Sequence, residues 1–228
     1  MYLGYDSTYI LIIIGLVITM IASAKVNSTF KKYSKMGNAM GYTAEQVAKS
    51  ILESSGIYDV RIEKVRGNLT DHYAPGQKVL RLSDSVYGQK SVAAIGVAAH
   101  ECGHAIQHQV GYGPLKLRSL SVPLANIGSY LSYPIIVLGF VLEKVNLMNF
   151  GIFLFCFVIL FQLITLPVEF NASRRAMRIL EEKHILDGKE LTCAGKVLKA
   201  AAMTYVAAVV SALLQLLRLV LIANRRRD

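Results

Sequence analysis

Four apolar blocks constrain the fold of this 228-residue chain more than any other feature of its sequence. Each block has a length close to the roughly 20 residues that an α-helix needs to cross the hydrocarbon core of a bilayer. A backbone in that environment must satisfy its own hydrogen bonds, which favours helices. The blocks comprise residues 8–24, 120–142, 150–168 and 200–223. The sequence therefore predicts a mainly α-helical, polytopic membrane protein.

The segments between the blocks predict a small α+β domain in two pieces, residues 25–118 and 169–199. Its first piece has a capped amphipathic helix near residues 42–56 and alternating apolar residues that predict strands at 57–65 and 78–83. The second and third blocks, with a short loop at 143–149, predict a membrane hairpin over residues 119–168. Residues 200–223 are expected to form a fourth transmembrane helix; the alternatives are that they lie along the membrane interface or pack on the helix bundle.

The charge pattern favours a membrane protein over a nucleic-acid binder. The net charge is +10, but the basic residues flank the apolar blocks, and no nucleic-acid-binding motif is recognisable. Asp6 is the only charged side chain before the first block, whereas several lysines follow that block. Both flanks of the hairpin are also basic. The positive-inside rule places these flanks in the cytoplasm. The arginines at 225–227 leave the side of the carboxyl terminus open.

The segment His100-Glu-Cys-Gly-His104 predicts a metal site. It lies in a predicted helix over about 92–110, which Ser91 can cap and Gly111 can end. Two histidines one turn apart can reach one tetrahedral Zn²⁺. Glu101 can lie beside the ion without binding it, where it can act as a general base toward a zinc-activated water. The alternative is an accidental pair of helix histidines.

Glu169 is the predicted third zinc ligand. It directly follows the hairpin, on the same predicted side of the membrane as His100 and His104. Catalytic zinc often takes two histidines and a glutamate and keeps one position open. Ser173, one turn later, can orient a ligand. The alternative for Glu169 is a carboxylate favoured by a helix start.

The remaining histidines leave alternatives open. His72 and Tyr73 are candidates for stabilising a developing oxyanion, although His72 can also simply hold a strand in place. His108 is a weaker candidate for a ligand, because three ligands on one straight helix rarely converge on one ion. A structural or sensory zinc site in a non-catalytic membrane protein would need His72 or His108 as a fourth ligand. Glu101 argues against it, since such a site needs no base.

With these residues the chain resembles the YugP-type neutral zinc metallopeptidases of bacteria, over nearly its whole length. Besides the amino-terminal anchor, the resemblance rests on Leu69–Tyr73, Val79–Ser83, His100–His108, Tyr112–Ser119 and Pro167–Arg175. The order of motifs is also similar to the HtpX-like membrane peptidases, which place two membrane spans before the ligand glutamate. Their second motif is commonly Glu-x-x-Ala-Asp, whereas here Ser173 replaces the aspartate.

The resemblance implies zinc-dependent endopeptidase activity of the gluzincin type at a bacterial cell membrane, with a zincin-like catalytic domain. Protein or peptide substrates, foremost membrane proteins, and the lipid bilayer are the implied partners. Because both metal-binding motifs adjoin span ends, cleavage is expected at or just outside the cytoplasmic interface.

Overall fold

The computed structural model describes residues 7–225, which are mainly helical. In chain order the elements are α1 (Tyr9–Tyr33), α2 (Ala44–Ser54), β1 (Arg61–Val65), β2 (His72–Ala74), β3 (Val79–Ser83), α3 (Val92–Gln109), α4 (Gly113–Val141), α5 (Val145–Glu182) and α6 (Gly188–Asn224). Asp6, Arg226 and Arg227, which entered the prediction of topology, lie outside the described residues.

Four helices, α1, α4, α5 and α6, are long and apolar enough to cross a membrane. This confirms the predicted apolar helices. Helix α4 continues through Pro123 and Pro134, and α5 through Pro167. The connection between α4 and α5 is shorter than the predicted loop at 143–149, because α5 begins at Val145 and Met148 is already buried.

Residues 7–23, 116–166 and 204–225 belong to one compact unit, built from parts of the four apolar helices. Small residues allow close helix contacts there, as is common in membrane proteins. A Cβ atom on Gly139 would lie 2.6 Å from the backbone nitrogen of Met148, and one on Gly15 would lie 2.7 Å from the Ser211 hydroxyl. Many large apolar side chains of this unit are exposed, which suits a lipid environment.

Residues 24–115 and 167–203 form the second unit, which contains a three-stranded sheet in the order β1-β3-β2. Strand β3 pairs in parallel with β1 and antiparallel with β2. The predicted strands β1 and β3 are confirmed. Strand β2 was missed, because the sequence predicts only turns there. It has three residues, and its extended form depends on pairing with β3, where Tyr73 lies opposite Leu80.

Helix α2 packs mainly against α3 and thereby determines which face of α3 is available for a site. The predicted apolar face of α2 is buried and includes Ile51 and Leu52. Burying each such side chain contributes roughly 1.5–3 kcal/mol to folding. Cys102 of α3 lies in this core, where its thiol donates to the Ala48 carbonyl at 3.5 Å. Burial raises the pKa of this thiol.

Candidate metal centre

Helix α3 presents His100 and His104 on one face. The Ser91 side chain caps the helix by accepting a hydrogen bond from the Ala94 amide at 3.2 Å, and Gly111 follows its end with a φ of 65°. Because the histidines are four residues apart, their rings lie side by side, with centroids 4.8 Å apart. Both side chains are largely buried, 15% and 12% exposed.

Helix α5 brings Glu169 to these two rings. Its Oε2 atom lies 3.3 Å from Nε2 of His100 and 3.6 Å from Nε2 of His104. One ligand atom from each of the three residues lies within 4.8 Å of the others. We call His100, His104 and Glu169 the ligand cluster. The structure thus brings together the three residues that the sequence predicts as metal ligands.

The geometry of the ligand cluster fits a zinc ion. Two ligand atoms at 2.0–2.1 Å from one tetrahedral ion lie about 3.3–3.4 Å apart, close to the distances from Glu169 to the two histidines. Oε2 of Glu169 is buried and has no hydrogen-bond partner within the described residues. An unsatisfied buried carboxylate oxygen is costly, and a cation between it and two imidazole nitrogens removes that cost.

Gly103 allows α3 and α5 to approach closely enough to form the cluster. A Cβ atom at this position would lie 2.6 Å from the carbonyl oxygen of Ala172, far inside normal contact distance. Ala172 is itself fully buried, between Glu169 and Ser173 on α5. The two helices therefore meet through small residues directly beside the ligands.

Hydrogen bonds on the far side of each imidazole orient its ring. Nδ1 of His100 lies 3.1 Å from the Ser173 hydroxyl, so His100 is the ligand that this serine contacts. Nδ1 of His104 lies 3.0 Å from Oε1 of Gln107. The Gln107 amide nitrogen donates to the Val168 carbonyl at 2.8 Å. The Val168 carbonyl can only accept a hydrogen bond, so the Gln107 atom next to it must be the amide nitrogen. The other atom of the Gln107 amide, Oε1, therefore faces His104 and can only accept. Nδ1 of His104 therefore carries the proton, and Nε2 keeps the lone pair that a metal needs.

Gln107 also ties the two ligand helices together. It is fully buried, and its amide nitrogen lies 2.9 Å from Oδ1 of Asn171, which accepts a further hydrogen bond from Arg175 at 2.8 Å. The Val168 carbonyl that it contacts belongs to the residue before Glu169. Sequence reasoning missed Gln107 and Asn171. The available signal was the position of Gln107, three residues after His104 and so near its face of the helix.

Glu101 is buried next to the ligand cluster. Burial alone would lower the pKa of His104, but the nearby carboxylates of Glu169 and Glu101 raise it above its ordinary value. Burial also raises the pKa of Asp71, and the hydrogen bonds from Ser83 only partly oppose this; Glu101 adds to the increase. The Glu101 carboxylate therefore lies close enough to influence both groups. Within residues 7–225 it forms no hydrogen bond or ion pair of its own.

His72 and Tyr73 lie on β2, outside the ligand cluster. The exposed ring of His72 contacts the Thr70 carbonyl at 3.0 Å and Arg81 at 3.4 Å. The hydroxyl of Tyr73 lies 2.9 Å from Nδ1 of His108 on α3. His108 therefore joins β2 to α3, and it too lies outside the ligand cluster. The catalytic roles of His72 and Tyr73 stay predictions.

Comparisons with known proteins agree with this site. The family model described as "Putative neutral zinc metallopeptidase" matches residues 8–224. A relative from Bacillus subtilis (strain 168), described as "Putative membrane protease YugP", is 48% identical over 207 residues, which cover 91% of this chain and 92% of that protein. No solved structure matches the chain. The match over nearly the full length shows that the chain belongs to this family of neutral zinc metallopeptidases.

Proposed function

We propose that this chain is a zinc-dependent endopeptidase of the membrane, with His100, His104 and Glu169 as zinc ligands and Glu101 as general base. The observation that carries the proposal is the unpartnered Oε2 of Glu169, buried 3.3 and 3.6 Å from two imidazole nitrogens. Two nitrogen ligands and one carboxylate leave a coordination position open, as in catalytic rather than structural zinc sites.

The role proposed for each side chain follows from its position around the ligand cluster. When bound, zinc supplies Lewis acidity, which makes water acidic near neutral pH and polarises a carbonyl oxygen. Glu101 accepts the proton of the attacking water and passes it to the leaving amine. Ser173 and Gln107 hold the imidazole rings so that both Nε2 atoms face Glu169. Tyr73, fixed by His108, and His72 are the proposed donors to the developing oxyanion.

The proposed arrangement is zincin-like and of the gluzincin type, with a His-Glu-x-x-His helix followed by a ligand glutamate on a later helix. We propose that the helices of residues 8–24, 119–168 and 200–223 span a bacterial cell membrane. The catalytic domain, residues 25–118 and 169–199, would then face the cytoplasm, because the basic residues flank the spans on that side. Proteins or peptides, above all membrane proteins, are the proposed substrates.

The experiment compares the purified full-length protein with Glu101→Gln, using membrane-protein substrates in detergent or bilayer discs. Glu101→Gln should keep its zinc and lose about 10²–10⁴-fold in kcat, because only the proton transfer is removed. Glu181→Gln is the matched control, since Glu181 is an exposed glutamate on α5. Full activity of zinc-loaded Glu101→Gln would overturn the mechanism. An inactive wild-type protein whose zinc has four protein ligands would instead establish a structural site.

A further inference from the structure

A second polar site lies in the same compact unit, where the end of α1 and the first turns of α6 line a cavity of about 570 Å³. Three lysines, Lys32, Lys189 and Lys196, line it together with Tyr33 and Thr192. We call this cavity the lysine pocket. Its volume lies within the roughly 300–1,000 Å³ that is typical of small-molecule sites.

No carboxylate of the described residues balances the three positive charges of the lysine pocket. Within residues 7–225, none of the three ammonium groups forms an ion pair with a carboxylate. The acidic residues in the first turn of α6 and just before it have other partners: Glu190 accepts the Ala39 amide at 2.8 Å, and Asp187 contacts His184 at 3.2 Å. Gathering like charges around one cavity is unfavourable unless an anion enters it.

The elements around the lysine pocket add further attraction for an anion. Lys189, Thr192 and Lys196 lie three and four residues apart, on one face of α6. Lys189 is in the first turn of α6, where the positive end of the helix dipole also attracts an anion. Thr192 uses its hydroxyl to donate to the Gly188 carbonyl at 2.9 Å, which leaves the ammonium groups as the principal donors. Lys32 lies 5.5 Å from the centre of the Tyr33 ring, a cation–π contact.

Lys32 and Lys196 lie near the ends of the apolar blocks along their own helices. Lys196 precedes the apolar block that begins at Ala200 by four residues, and Lys32 follows Ala24 by eight. At 1.5 Å per residue these spacings correspond to about 6 and 12 Å along a helix. The polar layer on each side of a bilayer is roughly 5–8 Å thick, and long lysine side chains can extend toward it.

We propose that the lysine pocket binds the phosphate group of an anionic lipid headgroup. A phosphodiester presents a negative charge and several acceptor oxygens, and lysine binds phosphate as a mobile point charge. A soluble phosphate ion shares this chemistry, so the test must separate the two sources. The proposal goes beyond peptide hydrolysis, and since it requires neither zinc nor Glu101, it can fail or succeed independently of the proposed enzyme activity.

The test uses the full-length protein in a neutral detergent and measures its unfolding temperature and its bound lipid by native mass spectrometry. The probes are phosphatidylglycerol, zwitterionic phosphatidylcholine and inorganic phosphate. The pocket variant is Lys32→Gln/Lys189→Gln/Lys196→Gln. The matched control, Lys31→Gln/Lys35→Gln/Lys199→Gln, removes three exposed charges from the same two regions outside the pocket. Circular dichroism and zinc content should be unchanged in both, since all six lysines are exposed.

Phosphatidylglycerol should stabilise the wild type and the control more than phosphatidylcholine does. Its apparent affinity for the pocket variant should fall on the order of 100-fold, because three basic residues no longer attract the phosphate. Equal weakening in both triple variants, or no selective stabilisation of the wild type, would overturn the proposal. The lipid assignment would be overturned in favour of a soluble phosphate by one result. In it, inorganic phosphate stabilises the wild type as much as the lipid does and no longer stabilises the pocket variant.

Discussion

The ligand cluster and the lysine pocket belong to the same compact unit but differ in burial and in charge. In the ligand cluster, buried side chains from α3 and α5 have fixed hydrogen-bond partners, and one carboxylate oxygen lacks one. In the lysine pocket, exposed ammonium groups share a cavity with no carboxylate among its described lining residues. The first arrangement favours a cation and the second an anion.

Burial also determines how much free energy a single polar or charged group contributes in each region. Leaving a buried polar group without a partner costs about 1–3 kcal/mol, whereas an exposed charge contributes roughly 0–1 kcal/mol. Single substitutions should therefore disturb the ligand cluster strongly, whereas each lysine substitution alone should have only a small effect. Three substitutions around the ligand cluster, ordered by expected effect, test this difference.

Gly103→Ala should have the largest effect, because the added Cβ would lie 2.6 Å from the Ala172 carbonyl. Helices α3 and α5 must then move apart, at a cost of roughly 1–3 kcal/mol for overpacking, and the distances from Glu169 to the histidines must lengthen. Thermal unfolding should shift down by several degrees, and zinc affinity, measured by competition with a chelator, should fall. The control is Gly113→Ala, where no atom among the described residues lies within 4 Å of the added Cβ. Equal behaviour of the two variants would show that close helix contact does not maintain the site.

Much of this region could be predicted from the sequence, because local signals determine it. Ser91 and Gly111 mark the ends of α3, and the spacing of His100 and His104 places them on one face. The charge pattern predicts that Glu169 lies on the same side of the membrane as these histidines. Composition and length alone predicted the four apolar helices.

The features that were missed depend on contacts between distant parts of the chain. Strand β2 becomes extended by pairing with β3, and its residues, Asp-His-Tyr-Ala-Pro, favour a turn when considered alone. Gly103 is required only because Ala172 packs against it, and Gln107 acquires its role from the Val168 carbonyl. No local pattern identifies these partners, since each depends on how α3 and α5 pack.

Gln107→Leu should have the next largest effect. It removes the acceptor for His104 and the donor to Val168 while keeping a similar volume. Loss of such a partner behind a metal-binding histidine typically costs 10–100-fold in metal affinity. We expect a loss of that size by chelator competition, together with a lower unfolding temperature, whereas Gln109→Leu on the exposed end of the same helix should leave zinc affinity unchanged. An unaltered zinc affinity in Gln107→Leu would mean that packing alone orients His104.

Ser173→Ala should have the smallest effect of the three. It removes one hydrogen bond between neutral groups, at Nδ1 of His100, while His104 and Glu169 keep their surroundings. One such hydrogen bond contributes roughly 0.5–1.5 kcal/mol, so its loss should lower zinc affinity about two- to tenfold. Ser173→Asp should restore or exceed the wild-type affinity, because a carboxylate is a stronger acceptor for the imidazole N–H. Ser34→Ala, which removes only a hydroxyl bonded within its own turn, is the control. If Ser173→Asp binds zinc more weakly than Ser173→Ala, the hydroxyl does not accept from His100, and a second negative charge beside Glu169 is harmful instead.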